Sequence, residues 1–558
     1  MQPANTLYYG DNLEVLRKHI GDESIDLIYL DPPFNSNRDY NLLFKEQSGE
    51  PAQAQIKAFT DTWQWSERAY QEFIETCPRP ALVELVNGFV RTLGRNELTA
   101  YLVMMAPRLL ELHRVLKPTG SLYLHCDPTA SHYLKVMLDV IFGARNFRNE
   151  IVWKRISAHS GAKRWGPVHD ILLFCTKSDS YTWNPVYTGY TDEQLLKRFP
   201  YLDERGRYGL RDLTGSGVRT GESGQAWRGI NPTSIGRHWA VPNHYIEILV
   251  GTERARQMSV QEKLDLLDAE GYIAWPQKGR MPKYKFYLST SDGLVIQDVV
   301  LDIPPISPTA KERLGYPTQK PLALLERIIQ ASSNEGDLVM DPFCGCGTAI
   351  VAAHKLHRRW IGIDITHLAI ALIKYRLSDM FDLKEGKDYR VIGEPTTEAE
   401  ARALAQQDRD EFQKWAIGLV PRARPFQQKK GADTGIDGIL YFQDDPKEVK
   451  KVVIQVKSGK VSAEQVREFR GVMEREKATL GLFITLGPPT APMRQEAAQA
   501  GFYTTPLGNL CIPRLQIRTV DELLKGKGFE IPSAALLKGV AQAQRIERDP
   551  GQQAMEWE

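Results

Sequence analysis

Two short apolar segments, roughly three hundred residues apart, each lead into an aspartate that is followed by proline. Residues 24–30 (SIDLIYL) favour a buried strand, which must stop after Asp31 because Pro32 and Pro33 cannot donate to a sheet ladder. Residues 337–340 (DLVM) favour a second strand, which leads into Asp341. Ligands of open α/β sheets bind at the carboxyl ends of strands, so both aspartates are expected at a ligand-binding edge.

The second segment opens a strand–turn–helix–strand unit. Residues 349–357 favour a helix, and residues 360–363 favour the next strand, which ends at Asp364. The turn before the helix consists of small residues, Gly345, Gly347 and Thr348. Glycines let a backbone approach a ligand closely, and the acid at the next strand end can accept ribose hydroxyls. The turn lacks the third glycine and the lysine of phosphate-binding loops, which disfavours a phosphate ligand.

Composition limits the class of protein. A chain of 558 residues indicates two or three domains, and 42% hydrophobic with 25% charged residues is typical of a soluble globular protein. The N-terminus lacks a signal-peptide pattern and no apolar run is long enough for a membrane span, so we expect a cytoplasmic protein without a membrane partner. The six cysteines show no disulfide framework; Cys344 and Cys346 leave a C-x-C metal site as an alternative, although no acidic or histidine cluster accompanies them.

The first part of the chain predicts a doubly wound sheet, with a helix over residues 102–116 and strands over 121–126, 150–154 and 170–176. The pattern loosens over residues 187–306, where arginines and aromatic residues alternate, including Arg205, Arg207, Tyr208, Arg211, Arg219, Trp227, Arg228, Arg237 and Trp239. Such a set suits phosphate and base recognition. The alternative is a solvated insert with structural tryptophans.

These motifs and their order resemble the beta class of DNA amino-methyltransferases, over about residues 5–392. The motifs that carry the resemblance are YGDNL at Tyr9, DPPF at Asp31, LHCD at Leu124, YPTQKP at Tyr316 and DPFCGCGT at Asp341. The resemblance implies an α/β, Rossmann-like, AdoMet-dependent sheet with permuted motif order. Its catalytic half would span residues 1–186, a target-recognition insert 187–306 and the AdoMet-binding half 307–392.

The resemblance also implies the roles of individual residues. The acceptor loop comprises Asp31, Pro32, Pro33 and Phe34: a carboxylate and a backbone carbonyl accept the two protons of an exocyclic amino group, and the ring stacks on a flipped base. Residues implied to bind AdoMet are Asp11, Lys320, Asp341, Phe343, Gly345, Gly347, Thr348 and Asp364. Aspartate at the start of the acceptor loop goes mostly with adenine N6 in double-stranded DNA, and cytosine N4 is the alternative.

A second unit follows a linker at residues 393–399. A helix is predicted over residues 399–417, and Asp437 begins a strand whose hairpin partner carries Gln455 and Lys457 on one face. A carboxylate, an amide oxygen and a lysine at one sheet edge can hold Mg²⁺ and orient a water at a phosphodiester.

Residues 400–525 resemble the Mrr-type branch of the PD-(D/E)XK nucleases, on the motifs GIDG, QVK and GLFIT. The resemblance implies that Asp437 and Gln455 bind the metal and that Lys457 is catalytic; Glu411 could supply the charge that a glutamine lacks. A domain that only binds DNA is the alternative. We expect a restriction–modification protein with a polar tail at 526–558, acting as a homodimer or with a separate restriction partner.

Overall fold

The computed structural model describes residues 5–33, 65–156, 163, 165–276, 281–307, 310, 312–314, 316, 318–426, 435–445, 448–506 and 510–532. The chain forms two compact units. One comprises Met1–Asn184 with Gln297–Glu558, and the other is Pro185–Ile296. The inserted unit therefore stops before the boundary at 306 that the sequence predicts, and residues 297–306 belong to the larger unit.

The N-terminal part of the larger unit supplies five strands, β1 (Thr6–Tyr9), β2 (Ile25–Leu30), β3 (Leu116–Cys126), β4 (Phe147–Lys154) and β5 (His169–Thr176). Its helices are α1 (Asn12–His19), α2 (Glu67–Thr76), α3 (Pro80–Leu93), α4 (Glu97–Val115) and α5 (Pro128–Phe142). Helix α4 begins at a capping box, in which Asn96 accepts from Thr99 N at 3.0 Å and Thr99 Oγ1 accepts from Asn96 N at 3.0 Å.

The inserted unit has its own small sheets and core. Its strands are β6 (Tyr187–Thr188), β7 (Tyr201–Asp203), β8 (Gly206–Asp212), β9 (Thr214–Ser216), β10 (Arg237–Trp239), β11 (Ile273–Ala274), β12 (Lys283–Tyr287) and β13 (Leu294–Val295). Its helices are α6 (Asp192–Arg198), α7 (Asn243–Val250), α8 (Thr252–Gln257) and α9 (Val260–Ala269). Strands β11, β12, β8 and β7 form an antiparallel sheet in that order.

The chain then completes the large sheet. The strands are β14 (Val299–Val300), β15 (Leu338–Asp341), β16 (Arg359–Asp364) and β17 (Arg390–Ile392), and the helices are α10 (Leu322–Ser332), α11 (Thr348–Lys355) and α12 (His367–Phe381). The order across the nine strands is β14-β4-β5-β3-β2-β15-β16-β1-β17, parallel except where β5 lies between β4 and β3. Strands from the two distant parts of the sequence are thus neighbours.

Helices cover both faces of this sheet. Leu16 of α1, Leu109 of α4 and Leu134 of α5 are fully buried in the cluster on one face. Leu325 of α10 and Ile350 of α11 are fully buried in the cluster on the other. This three-layer α/β arrangement confirms the predicted fold class, with the permuted order of the motifs.

The C-terminal domain contains β18 (Arg424–Pro425), β19 (Gly438–Asp445), β20 (Glu448–Lys457), β21 (Leu480–Thr485), β22 (Phe502–Thr504), β23 (Cys511–Pro513) and β24 (Leu515–Thr519). Its helices are α13 (Glu398–Gln407), α14 (Arg409–Gly418), α15 (Ala463–Arg475), α16 (Ala491–Ala498) and α17 (Val520–Leu524). The five-stranded sheet has the order β18-β19-β20-β21-β24, with a hairpin at β19–β20 and parallel pairing from β20 onward.

The continuous helix predicted over residues 399–417 is wrong. Asp408 has an extended backbone, with φ −152° and ψ 109°, and separates α13 from α14. Its side chain accepts hydrogen bonds from the backbone nitrogens of Asp410 and Glu411 at 3.0 and 3.1 Å. Asp408 therefore begins a new helix, because an aspartate cap satisfies the free N–H groups of the first turn.

Candidate functional site

Three aspartates lie at the carboxyl ends of three adjacent parallel strands. Asp31 follows β2, Asp341 ends β15 and Asp364 ends β16. Strand β15 pairs with both of the others, with Val339 opposite Leu27 and Asp341 opposite Gly362. Carboxylates from two distant parts of the sequence therefore meet at the sheet edge where the sequence predicts a ligand.

Asp364 fixes the glycine turn at this edge. Its carboxylate accepts from Gly345 N at 2.9 Å through one oxygen, and from Thr366 N at 3.0 Å and Thr366 Oγ1 at 2.9 Å through the other. Burial raises the pKa of Asp364, although these hydrogen bonds oppose the shift. A carboxylate has about four lone-pair sites, so this one can accept further bonds from ligand hydroxyls.

Both glycines of the turn have backbone conformations that disfavour a side chain. Gly345 has φ +48°, and a Cβ there would lie 3.2 Å from the ring of Tyr316. Gly347 has φ +75° and caps α11, and a Cβ there would lie 2.6 Å from Ile373 Cγ1. Both positions therefore require glycine, which leaves the backbone of the turn accessible to a ligand. Tyr316 of the YPTQKP segment lies against the turn.

Asp341 is the most deeply buried of the three acids, with 3% of its surface exposed. One oxygen accepts from Phe343 N at 3.0 Å. Burial raises the pKa of Asp341 well above its usual range, and the negative charges of Asp31 and Asp364 add to the shift. A cationic ligand at this edge would offset both effects.

Asp31 forms an ion pair with Lys320, and both side chains are largely buried. Lys320 was predicted to bind the cofactor, and that role stays a prediction; in the structure its ammonium contacts the acceptor-loop carboxylate. Pro32 and Pro33 follow the strand end and lie outside any strand. Phe34 lies outside the described residues, so its stacking role stays a prediction.

A buried polar chain lies beneath the acceptor loop, and the sequence did not single it out as part of the site. Tyr29 OH lies 2.9 Å from His125 Nδ1, and His125 Nε2 lies 3.3 Å from Asp170 Oδ2. Burial acts to raise the pKa of Asp170, but the hydrogen bond and charge of His125, with the nearby charges of Lys320 and Arg155, lower it overall. The only sequence signal was the polar LHCD strand end.

Asp11 has the contacts of a helix cap. Its Oδ1 accepts from Leu13 N at 2.8 Å, and its Oδ2 accepts from Arg108 Nη2 at 2.5 Å. The next residue, Asn12, donates to Pro342 O at 2.8 Å and accepts from Arg108 Nε at 2.6 Å. Asp11 and its neighbour thus connect the start of the chain to the loop after Asp341.

Arg376, on α12, was also missed. Its side chain is buried, and its Nη1 donates to Cys346 O at 2.7 Å and to Thr348 Oγ1 at 3.2 Å. These two hydrogen bonds fix the position of the glycine turn. Both cysteines of the turn are buried at 4% exposure. Within the described ranges no group of three or more His, Cys, Asp or Glu residues could hold a metal ion, which leaves the C-x-C alternative without further ligands.

In the C-terminal domain, the structure brings the three predicted nuclease residues together. Asp437 precedes β19, and its Oδ2 accepts from Val456 N at 2.7 Å. Gln455, on β20, donates to Gly435 O at 3.1 Å, which orients its amide. Lys457 lies two residues further along β20, on the same face.

Glu411 does not join this group. Its Oε2 accepts from His367 N at 2.8 Å, and its Oε1 accepts from Lys414 Nζ at 2.9 Å. One Glu411 oxygen thus bonds at the start of α12 and the other bonds Lys414 on its own helix, so the structure gives no support to the expectation that Glu411 supplies charge to the metal site.

In the inserted unit the two predicted tryptophans are buried, whereas five of the predicted arginines are exposed. Trp227 and Trp239 are buried in the core of the unit at 4% and 2% exposure, so they are structural rather than base-stacking residues. Side chains that remain exposed on the unit include those of Arg205, Arg207, Arg211, Arg219 and Arg228. The alternative of structural tryptophans is correct for these two residues, and the role of the exposed arginines in phosphate recognition stays a prediction.

Comparison with known proteins identifies the families of the two domains. A model of the DNA methylase family matches residues 25–374, more than half of the chain. The chain belongs to the N6/N4 DNA methylase family. A model of the Mrr catalytic domain, a restriction endonuclease, matches residues 404–504. The predicted fusion of an AdoMet-type DNA methyltransferase with a nuclease-like domain is confirmed at this level.

The N6/N4 DNA methylase resembles several characterised proteins. The Type II methyltransferase M.EcaI of Enterobacter cloacae is 29% identical over 376 residues, 67% of this chain and 69% of that protein. The DNA adenine methyltransferase YhdJ of Escherichia coli K12 is 23% identical over 364 residues, 65% of this chain and 79% of that protein. The solved structure of the cytosine-N4-specific PvuII DNA methyltransferase covers 66% of this chain and 85% of its own, at 13% identity and a TM-score of 0.33. In the described part of this chain, no helix is both long and apolar enough to cross a membrane.

Proposed function

We propose that this DNA methylase transfers a methyl group from AdoMet to the N6 amino group of adenine in double-stranded DNA. The observation that carries the proposal is the placement of Asp31 beside Asp341 and Asp364, on three adjacent strand ends. One carboxylate is then available to the acceptor base and two to the cofactor.

The residues at this edge fit AdoMet. The sulfonium and ammonium groups are cations, and Asp341 lies buried between two other carboxylates that raise its pKa, so a positive ligand is favoured. Asp364 would accept the ribose hydroxyls, while Phe343, Gly345, Gly347 and Thr348 would line the loop. When bound, AdoMet supplies an electrophilic methyl group.

Asp31 would act on the acceptor amine. The amino nitrogen of a base is a weak nucleophile because its lone pair is delocalised into the ring. An acceptor for its protons favours the tetrahedral geometry that attack requires. Pro32 and Pro33 restrict the backbone that follows the carboxylate, so it is held in place before the base arrives.

Lys320 must change partner during this cycle. Its ammonium pairs with Asp31, which offsets the cost of burying that carboxylate. Asp31 becomes free to accept from an amino group when Lys320 turns toward another anion. The carboxylate of AdoMet is such an anion, so the prediction that Lys320 binds the cofactor is compatible with this resting ion pair.

Adenine is favoured over cytosine by the aspartate at the start of the acceptor loop and by the similarity to YhdJ, which is named as an adenine methyltransferase. Cytosine N4 is the second candidate, since the PvuII methyltransferase is specific for that atom. The inserted unit would contact the DNA through its exposed arginines, which would select the sequence.

We also propose that the C-terminal domain cleaves DNA with Mg²⁺. Asp437 and Gln455 offer one carboxylate and one amide oxygen, which fits Mg²⁺ because this ion is usually held by one or two carboxylates together with waters and substrate phosphates. Lys457 would orient the attacking water or the phosphate. The alternative is a domain that binds DNA without cutting it.

The test uses the full-length protein with labelled AdoMet and mixed-sequence double-stranded DNA, with and without Mg²⁺. The DNA is digested to nucleosides to locate the label, and its fragment lengths are measured in parallel. Label on N6-methyl-2′-deoxyadenosine and Mg²⁺-dependent fragments that disappear with Lys457→Ala are expected. Label on cytosine would overturn the adenine assignment, and intact DNA under all conditions would favour the binding-only domain.

A further inference from the structure

The nuclease domain contacts the cofactor half through a buried carboxylate. Glu411 lies in the first turn of α14 with 8% of its surface exposed, and its Oε2 accepts from His367 N at 2.8 Å. His367 is the first residue of α12 and is fully buried. A backbone N–H in the first turn of a helix has no partner within that helix, so the carboxylate satisfies a group that would otherwise be buried without a hydrogen bond.

The segment that Glu411 holds begins at Asp364. Asp364 ends β16, accepts two bonds from Thr366, and is separated from α12 by two residues. Thr366 caps α12 by accepting from Ala369 N. The position of the Asp364 carboxylate is therefore set at one side by its strand and at the other by the start of α12, which Glu411 anchors.

Other contacts hold the same helix start. The ring of His367 stacks on Tyr9 with centroids 3.8 Å apart and planes 14° apart, and its Nδ1 lies 3.2 Å from Glu394 Oε1. Helix α14 then packs along α12, where a Cβ on Gly418 would lie 3.5 Å from Ala371 Cβ. The start of α12 is thus enclosed by β1, by the linker that carries Glu394 and by the nuclease domain.

We propose that Glu411 is a positioning residue for the AdoMet site, supplied by the nuclease domain. It acts through His367 and Thr366 on Asp364, and it does not touch the cofactor itself. This inference rests on the proposed function, because it requires Asp364 to bind AdoMet. Its consequence is that the cofactor site is complete only when the nuclease domain is docked.

The charge of Glu411 also reaches the site. It contributes to the raised pKa of Asp364, after the larger effect of burial, and Lys414 partly neutralises it through an ion pair of 2.9 Å. The neutral substitution Glu411→Gln keeps an oxygen for His367 N and removes the charge. Glu411→Ala removes both, so the two variants separate the hydrogen bond from the electrostatic effect.

The experiment measures AdoMet affinity by calorimetry, and KM for AdoMet and kcat on mixed-sequence DNA, in the full-length protein. Glu411→Ala is expected to weaken AdoMet binding and raise its KM by about tenfold, with kcat at saturating AdoMet within about twofold, because a buried N–H loses its acceptor. Glu411→Gln is expected to restore most of the affinity. Asp410→Ala is the matched control: Asp410 pairs with Lys414 on the same helix, and among the described residues its carboxylate has no hydrogen bond or ion pair with α12.

A fourth variant, Asp364→Ala, separates the two proposals. If Asp364→Ala loses AdoMet binding and Glu411→Ala keeps it, the positioning role is overturned and the cofactor site stands. If Asp364→Ala binds AdoMet normally, the cofactor assignment itself fails. A Glu411→Ala protein with a lower melting temperature and lower kcat but unchanged AdoMet affinity would indicate a purely structural contact, which also overturns the inference.

Discussion

The methyltransferase edge and the nuclease edge are both built where neighbouring strands bring side chains together, but they carry different charge. At the first, Asp31, Asp341 and Asp364 follow three adjacent strands, with one lysine among them. At the second, Asp437 accepts from Val456 N, and its neighbour Gln455 offers an amide in place of a second carboxylate. Burial raises the pKa of Asp341, and the negative charges of Asp31 and Asp364 add to the shift, so on the proposed function the first edge suits a cationic ligand.

The nuclease edge has the opposite requirement. On the proposal that Asp437 and Gln455 bind Mg²⁺, one carboxylate and one amide hold the ion weakly, so metal binding would also depend on the phosphates of the DNA and on retained waters. The comparison then predicts that the AdoMet site forms without DNA and that the metal site is completed only on DNA. Three substitutions test this contrast, in order of decreasing effect.

Replacing Asp31 by alanine tests the division of labour within the first edge. We expect methyl transfer to fall by on the order of 10³-fold, because the amino group loses its proton acceptor in the transition state. The AdoMet dissociation constant should stay within about twofold, as measured by calorimetry. Asp22→Ala, an exposed aspartate near the start of the same strand, is the control, and a parallel loss of AdoMet affinity in Asp31→Ala would place Asp31 in the cofactor site instead.

Replacing Gln455 by glutamate would make the second edge resemble the first. A second carboxylate beside Asp437 should tighten Mg²⁺ binding in the absence of DNA by about tenfold, since ligand charge sets the affinity for hard cations. Titration calorimetry with Mg²⁺ checks this independently of cleavage. Gln465→Glu, at the start of α15, should bind Mg²⁺ as the wild type does, and an unchanged affinity in Gln455→Glu would remove Gln455 from the metal site.

Replacing Asp341 by asparagine tests the charge at the first edge. The raised pKa means that the folded protein holds a proton on Asp341 more tightly than the unfolded chain does, so wild-type stability falls as pH rises from about 4 through the folded pKa. Asparagine does not titrate. The variant should therefore gain about 1 kcal/mol in unfolding free energy over wild type at pH 8 and little at pH 4.5.

Urea unfolding without AdoMet, at both pH values, measures this difference. The same variant should bind AdoMet more weakly at pH 8, since it lacks the charge that a cationic ligand would meet. If Asp341→Asn is less stable than wild type at pH 8, the claim that burial and the neighbouring carboxylates destabilise ionised Asp341 is wrong.

Local sequence signals predicted the three strand-end aspartates. A buried strand, a proline or glycine turn and an acidic residue are encoded within a few positions, so Asp31, Asp341 and Asp364 could be identified without knowing the fold. The permuted order of the family motifs also implies that β2 and β15 are adjacent in the sheet. In the nuclease-like sheet, the hairpin of β19 and β20 followed from the same kind of reasoning, whereas β18 and β24 were not predicted.

Contacts between distant residues could not be predicted in this way. Lys320 and Asp31 are far apart in sequence, and nothing near either residue specifies the pair. Trp227 and Trp239 showed that aromatic composition does not say which face of a small sheet is buried. Glu411 was expected at the metal site of the nuclease-like domain. In the structure Asp408 begins a new helix, and Glu411 in its first turn contacts the start of α12.

The inserted unit begins and ends in a two-stranded ribbon, in which Tyr187–Thr188 of β6 pairs with Leu294–Val295 of β13. The points where the chain enters and leaves the unit are therefore close together, and everything between them can be replaced without changing the spacing of the flanking segments. On the proposed role of the unit in sequence selection, recombination at these two points would exchange specificity as a cassette. A descendant enzyme could acquire a new target sequence in a single genetic event and inherit its chemistry unchanged.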